Sequence, residues 1–268
     1  FFFKQKTAYE IDRYERYLAN KWGIEINGPI AYSYSLVSRS SSSNIRLWLD
    51  ANDSNSILQK DGKVYEWRDL SGRGNHAKQP ESTHQPILVE DRIQFDGNDI
   101  LQVRDDGLRL GSAGIIVVAK WDASVTWGNT IAGYHGESSV GWKLRQYASS
   151  FNRITFTSRG TTGTDNPNPS KVTSQSDYFI CSSFREDDFR YLRHNGTEIS
   201  KVSDTHFITF HPSTERGGVG GYFAGDEYSN PGGYLRGSIK ELMVFYGKKA
   251  HEIDRYERYL ANKWGIEI

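Results

Sequence analysis

The hydrophobic pattern changes character at about residue 44. From Ile45 onward, apolar positions come in alternation or in short unbroken runs, bounded by Gly, Asn, Asp and Pro. Ile45–Leu49, Val64–Trp67, Ile93–Phe95 and Ile100–Val103 read as strands, and the Asp96-Gly97 turn between the last two reads as a hairpin. Gly114–Trp121 is a continuous apolar run, as expected of a central strand buried on both faces. Further strands are expected at 130–134, 141–146, 153–158, 178–184, 189–193, 197–202, 217–222 and 237–246, with Asn195-Gly196 as a tight turn. Near the end the period becomes helical. Ile253, Tyr256, Leu260 and Trp264 share one face over 251–263, Tyr259 widens it, and Gly265 stands where a helix terminates. Many short strands with turn signals between them, and no interleaved helices, predict an all-β antiparallel two-sheet sandwich carrying one C-terminal helix.

Residues 27–43 lack any period and end in the four serines Ser40–Ser43, which reads as a linker. Ahead of it stands a repeat. Glu10–Ile26 is identical to Glu252–Ile268, the segment of the predicted helix. Phe1–Glu10 resembles a poly-T run followed by a translated sequencing-adapter primer, and is set aside from fold reasoning. No signal-peptide pattern is legible in it. The expected organisation is therefore 1–26 as an artefact plus a copy of the helix, 27–43 as linker, and 44–268 as the sandwich domain. The copy has two readings: the tail of a preceding tandem domain, or an assembly artefact.

Thirty-three basic residues balance 33 acidic ones, so a basic nucleic-acid footprint is not expected. No apolar run approaches membrane-spanning length, so no membrane insertion is expected. The single cysteine, Cys181, lies in the apolar run Tyr178–Cys181 and reads as a small buried hydrophobe.

An ordered set of segments runs through the domain. It comprises Leu47-Trp48-Leu49-Asp50-Ala51, Trp67 to Ala77, Phe95-Asp96-Gly97, Gly141-Trp142-Lys143-Leu144, Arg236 to Leu242 and Tyr259 to Ile266. In order and spacing it resembles the laminin-G-like branch of the concanavalin A-like lectin and glucanase superfamily, in bacterial or phage-associated proteins. The resemblance implies a jelly roll of roughly a dozen strands in a larger extracellular, cell-surface or virion protein. It also implies a carbohydrate-binding or adhesion role, with a structural spacer in a tandem array as the alternative and a glycoside hydrolase a more distant one. The partners expected are a glycan or cell-surface polysaccharide and the neighbouring domains of the same chain.

Candidate chemistry is sparse. Glu252-Ile253-Asp254-Arg255-Tyr256-Glu257 has the E-x-D-x-x-E form of a glucanase branch of that superfamily. There the carboxylates share one face of a strand. On a helix, at roughly 100° per residue, 252 and 254 point about 200° apart, so the three read as a solvated helix face and no catalytic residue is assigned. Asp50, Asp53, Asp96 and Asp99 lie in Asx-rich turns that offer hard oxygen ligands, and calcium is the cofactor they would suit. The competing reading of these residues is turn chemistry. The seven histidines have no metal-ligand spacing. Trp127, Tyr134, His135, Tyr222 and Tyr228 fall at expected strand ends or loops and are the candidate sugar-stacking residues, whereas Trp48, Trp67 and Trp142 fall within strand patterns and are expected in the core.

Overall fold

The alternating segments fold as strands wherever the chain is described. The computed structural model describes residues 44–104, 108, 114–121, 129–135, 141–146, 153–159, 168–172, 177–203, 216–223, 231–246 and 250–268. The strands are β1 (Ile45–Asp50), β2 (Ile57–Lys60), β3 (Lys63–Trp67), β4 (Ala77–Lys78), β5 (Ile87–Val89), β6 (Arg92–Asp96), β7 (Leu101–Arg104), β8 (Gly114–Trp121), β9 (Thr130–His135) and β10 (Gly141–Gln146). They continue with β11 (Arg153–Arg159), β12 (Asn168–Val172), β13 (Phe179–Glu186), β14 (Phe189–His194), β15 (Thr197–Ser203), β16 (Arg216–Val219), β17 (Tyr222–Phe223), β18 (Pro231–Gly232) and β19 (Arg236–Phe245), before the helix α1 (Ala250–Trp264).

Pairing sorts these strands into two antiparallel layers and a short β17–β18 ribbon. One layer runs β2-β3-β4-β7-β16-β9-β10-β11-β12. The other runs from β5 and β6 through β19, β8, β13 and β14 to β15, with β1 and β6 sharing one flank of β19. Among the described residues, the two layers share one ladder pairing, Lys63 opposite Ile87. This is the two-sheet sandwich that the alternation predicts, of the jelly-roll kind that the resemblance implies, with α1 packed on it.

The inward residues make one core. Leu47, Leu49, Val64, Trp67, Ala77, Phe95, Val103, Val117, Trp121, Tyr134, Trp142, Leu144, Cys181, Leu242 and Val244 all belong to it and are almost wholly buried. The central run Gly114–Trp121 is buried nearly throughout.

The Asp96-Gly97 turn does not close a hairpin. β6 pairs with β5 and β19 in one layer, and β7 pairs with β4 and β16 in the other, so the turn carries the chain between layers. The dipeptide fixes a sharp reversal, with Gly97 at φ +97°, but not which strands pair. Asn195-Gly196, both at positive φ, does close a hairpin, between β14 and β15.

α1 lies on the outer face of the second layer, with Ile253 and Leu260 buried and Tyr256 against the Phe245 ring at 4.5 Å. It ends as its sequence implies. Gly265 takes φ +66° and the Ile266 N–H bonds back to the Ala261 carbonyl at 2.9 Å. One expectation about this helix is overturned. Glu257 is not on a solvated face but 1% exposed. Position 257 is four residues from Ile253 and three from Leu260, so it lies inside the apolar stripe. Its carboxylate accepts from Ser182 Oγ at 2.6 Å and faces Arg193 Nη2 at 3.3 Å, while Arg193 also pairs with Asp254.

Candidate functional site

The sequence-predicted residues do not gather into one site. Trp127 and Tyr228 lie outside the described residues, and so does the side chain of His135. Tyr134 is placed in the core, fully buried on β9, and is not a rim aromatic. The expected strand end falls beyond it because β9 continues to His135. Tyr222 is half-buried above the backbone of Gly133, where a Cβ would come 3.1 Å from the Tyr222 Cβ. The Lys143 ammonium sits 3.5 Å from its ring centre, so one ring face is already covered.

The four aspartates make hydrogen bonds within the fold. Asp50 is buried, with Oδ1 accepting from the Asn52 N–H at 3.0 Å and Oδ2 from Lys263 at 2.6 Å. Asp53 caps the short 3-10 turn Ser54–Ser56 through the Asn55 N–H. Asp96 Oδ1 accepts from the Asn98 N–H at 2.8 Å, and Asp99 Oδ2 from the Asp96 N–H at 3.0 Å. Burial, with the Asp96 charge beside it, pushes the Asp99 carboxyl up to about 6 against the Asp96 N–H bond that favours ionisation. Among the described residues, no three His, Cys, Asp or Glu side chains are grouped to hold a metal.

The structure offers a different site, an open cleft of about 1260 Å³ on the outer face of the first layer. Its floor is a row of directly paired residues, Glu66 on β3, Lys78 on β4 and Gln102 on β7. One wall is the segment around Gln79, Pro80 and Gln85, and the lip is the β2–β3 turn with Lys60, Asp61 and Lys63.

A β-bulge builds the centre of this cleft. Leu58 pairs with Glu66 and Gln59 with Val64, so Tyr65 is an extra residue on β3. Val64 and Trp67 both point into the core, which turns the two residues between them outward together. Tyr65 thereby presents a ring that is 37% exposed, next to the Glu66 carboxylate. A regular strand would have sent one of the two inward.

The polar groups around the ring are held in place. Glu66 takes hydrogen bonds from Lys78 at 3.1 Å and Arg68 at 3.3 Å. Burial works to raise its pKa, but the contacts with Lys78 and Arg68 prevail and hold the carboxyl below the usual range. His76 Nδ1 accepts the Asp69 N–H at 3.0 Å, which leaves the ring proton on Nε2 as a donor at the cleft. Gln79 is fixed through the Ile100 carbonyl and the Glu81 N–H, and Gln85 donates to the Gln79 carbonyl at 2.6 Å. The result is one exposed aromatic face surrounded by oriented donors and acceptors. Sequence reading missed it, because Tyr65 and Glu66 sit within a strand pattern and only the bulge brings both to the surface.

No protein-family model and no curated protein matches this chain. Solved structures do resemble it. A Trypanosoma rangeli sialidase, in complex with a difluoro-KDN, aligns over 82% of this chain and 32% of its own at 11% identity and a TM-score of 0.55. The chain thus spans about a third of that sialidase. Domain 4 of AbnA, a GH43 extracellular arabinanase from Geobacillus stearothermophilus, in complex with arabinotriose, aligns over 80% of this chain and 97% of its own, at 10% identity and a TM-score of 0.52. At these identities the likeness is one of fold: a β-sandwich of the jelly-roll kind.

Proposed function

We propose that the chain is a non-catalytic glycan-binding module of a secreted or surface protein, and that the β3–β4–β7 cleft is its binding site. The observation that carries this reading is the Tyr65 ring, turned out by the bulge among fixed polar groups. Sugars stack their apolar faces on such rings and bond their hydroxyls to fixed neighbours. The likeness to an arabinanase domain that holds arabinotriose, aligned over nearly all of that domain, supports it. Glu66 favours binding over hydrolysis. Held ionised by two cations, it suits accepting bonds from hydroxyls and is poorly placed to donate a proton.

The test is an oligosaccharide and polysaccharide array on the full chain, followed by calorimetry of any hit, each with and without chelator. Tyr65→Ala is expected to weaken a hit by about fivefold, from a stacking contribution of roughly 1 kcal/mol. Chelator should leave it unchanged. Undiminished binding by folded Tyr65→Ala would move the site elsewhere, and a folded chain that binds nothing across the panel would favour a spacer role.

A further inference from the structure

Resting on that glycan reading, we infer that the cleft selects saccharides bearing a carboxylate, through the lysine pair at its lip. Lys60 and Lys63 are direct cross-strand partners around the Asp61-Gly62 turn. Direct partners in a hairpin project to the same face, and Val64 points inward, so both lysines project outward, where they line the cleft. Their Cβ atoms are then about 5 Å apart, a spacing at which like charges repel.

Lys78, further along the same floor, is neutralised by Glu66 at 3.1 Å. Among the described residues, neither Lys60 nor Lys63 has a carboxylate at ion-pair distance. Two other acidic groups bear on the pair: Asp61 at the tip of the turn, and Asp99, which feels the Lys63 charge. Three lysines face two carboxylates around the cleft, and the His76 Nε2–H adds a neutral donor. A ligand carboxylate placed between Lys60 and Lys63 relieves their mutual repulsion and accepts charge-assisted bonds from both. The sugar ring carrying it reaches toward Tyr65, two residues from Lys63 on the same strand face.

The experiment compares trigalacturonic acid with its fully methyl-esterified form, two ligands alike in every hydroxyl, the one anionic and the other neutral, by calorimetry on the full chain at low ionic strength. The acid is expected to bind at least tenfold more tightly. The double variant Lys60→Met/Lys63→Met should lower the ratio of acid to ester affinity to about one, and a ratio still near tenfold in the folded double variant would overturn the assignment to the lysine pair. Equal binding of acid and ester by the unaltered chain would refute the acid selectivity and leave the glycan reading standing. Binding of neither, with no hit on the array, would remove both. Displacement of the trimer by equimolar sodium sulfate would reduce the lysine pair to a simple anion site and overturn the inference.

Discussion

The ammonium of Lys263, in the last turn of α1, lies 2.6 Å from Asp50 Oδ2, at the end of β1. The same ammonium is 2.7 Å from Glu241 Oε2, and Glu241 also accepts from Trp48 Nε1 and Trp264 Nε1 at 2.8 Å each. Asp50 and Glu241 are register partners on β1 and β19, so two buried carboxylates share one cation. The helix is therefore held by a polar clasp as well as by its apolar stripe.

Removing the cation should cost more than removing an ordinary surface lysine. Lys263→Met leaves two carboxylates buried side by side, and a loss of about 3–5 kcal/mol is expected, typical of breaking a buried pair from one side. Urea unfolding followed by tryptophan fluorescence measures it. A loss below about 1 kcal/mol would mean that water reaches the clasp freely.

The clasp also sets a pH dependence. Burial, reinforced by the Asp50 charge, pushes Glu241 up to about 7, against the opposing pull of Lys263. A carboxyl whose pKa is higher folded than unfolded binds its proton better in the native state. Its contribution is present below about 4.5 and is lost as pH rises to about 7, with a slope of at most roughly 1.4 kcal/mol per pH unit. Asp99 and Glu257, both raised chiefly by burial, act with the same sign. Stability should therefore decline from pH 4.5 to 7 by more than in Glu241→Gln. Parallel urea-midpoint curves for the two proteins across this range would show that Glu241 does not titrate there.

Gly220 should tolerate no side chain. It sits at φ +81°, and a Cβ there would fall 2.2 Å from Cε1 of the core residue Phe95. Gly220→Ala combines backbone strain with overpacking, for an expected loss of roughly 3 kcal/mol. Thermal melting should show it, whereas Gly74→Ala, with open space around its Cβ position, meets only the strain of φ +77° and should lose less.

Cys181 should resist alkylation in the folded protein. It is fully buried, and burial, with the Glu257 charge nearby, pushes its thiol well above the usual range. Labelling at pH 8 is expected to follow the rate of unfolding. Labelling much faster than unfolding would require a local opening of β13.

How much of this was legible in the sequence varies by element. The strands Ile45–Asp50, Gly114–Trp121 and Arg236–Phe245 and the helix were readable because their apolar positions repeat with a fixed period. β2, β4 and β5 were missed, being four residues or fewer and thus too short to show one. Glu257 was misread because charge suggests solvent, while its partners Ser182 and Arg193 lie 75 and 64 positions away. The cleft was invisible for a related reason. A period-two reading assumes a regular pleat, and Tyr65–Glu66 break it.

β19 breaks it too. Ile239 pairs with Ala119 and Glu241 with Val118, so Lys240 is the extra residue there. Ile239 and Leu242 face the core, and Lys240 and Glu241 both face α1, where Lys240 stacks 4.5 Å from the Trp264 ring. The strand consequently has two phases. Deleting Lys240 would remove the bulge and leave Ile239, Glu241 and Leu242 in plain alternation with every face kept, whereas deleting Met243 would put Val244 in its outward place and turn the rest of the strand over. For this protein the spacing of residues along β19 is inherited information as binding as their identity: a deletion beyond the bulge moves apolar side chains to the wrong face, and a deletion within it does not.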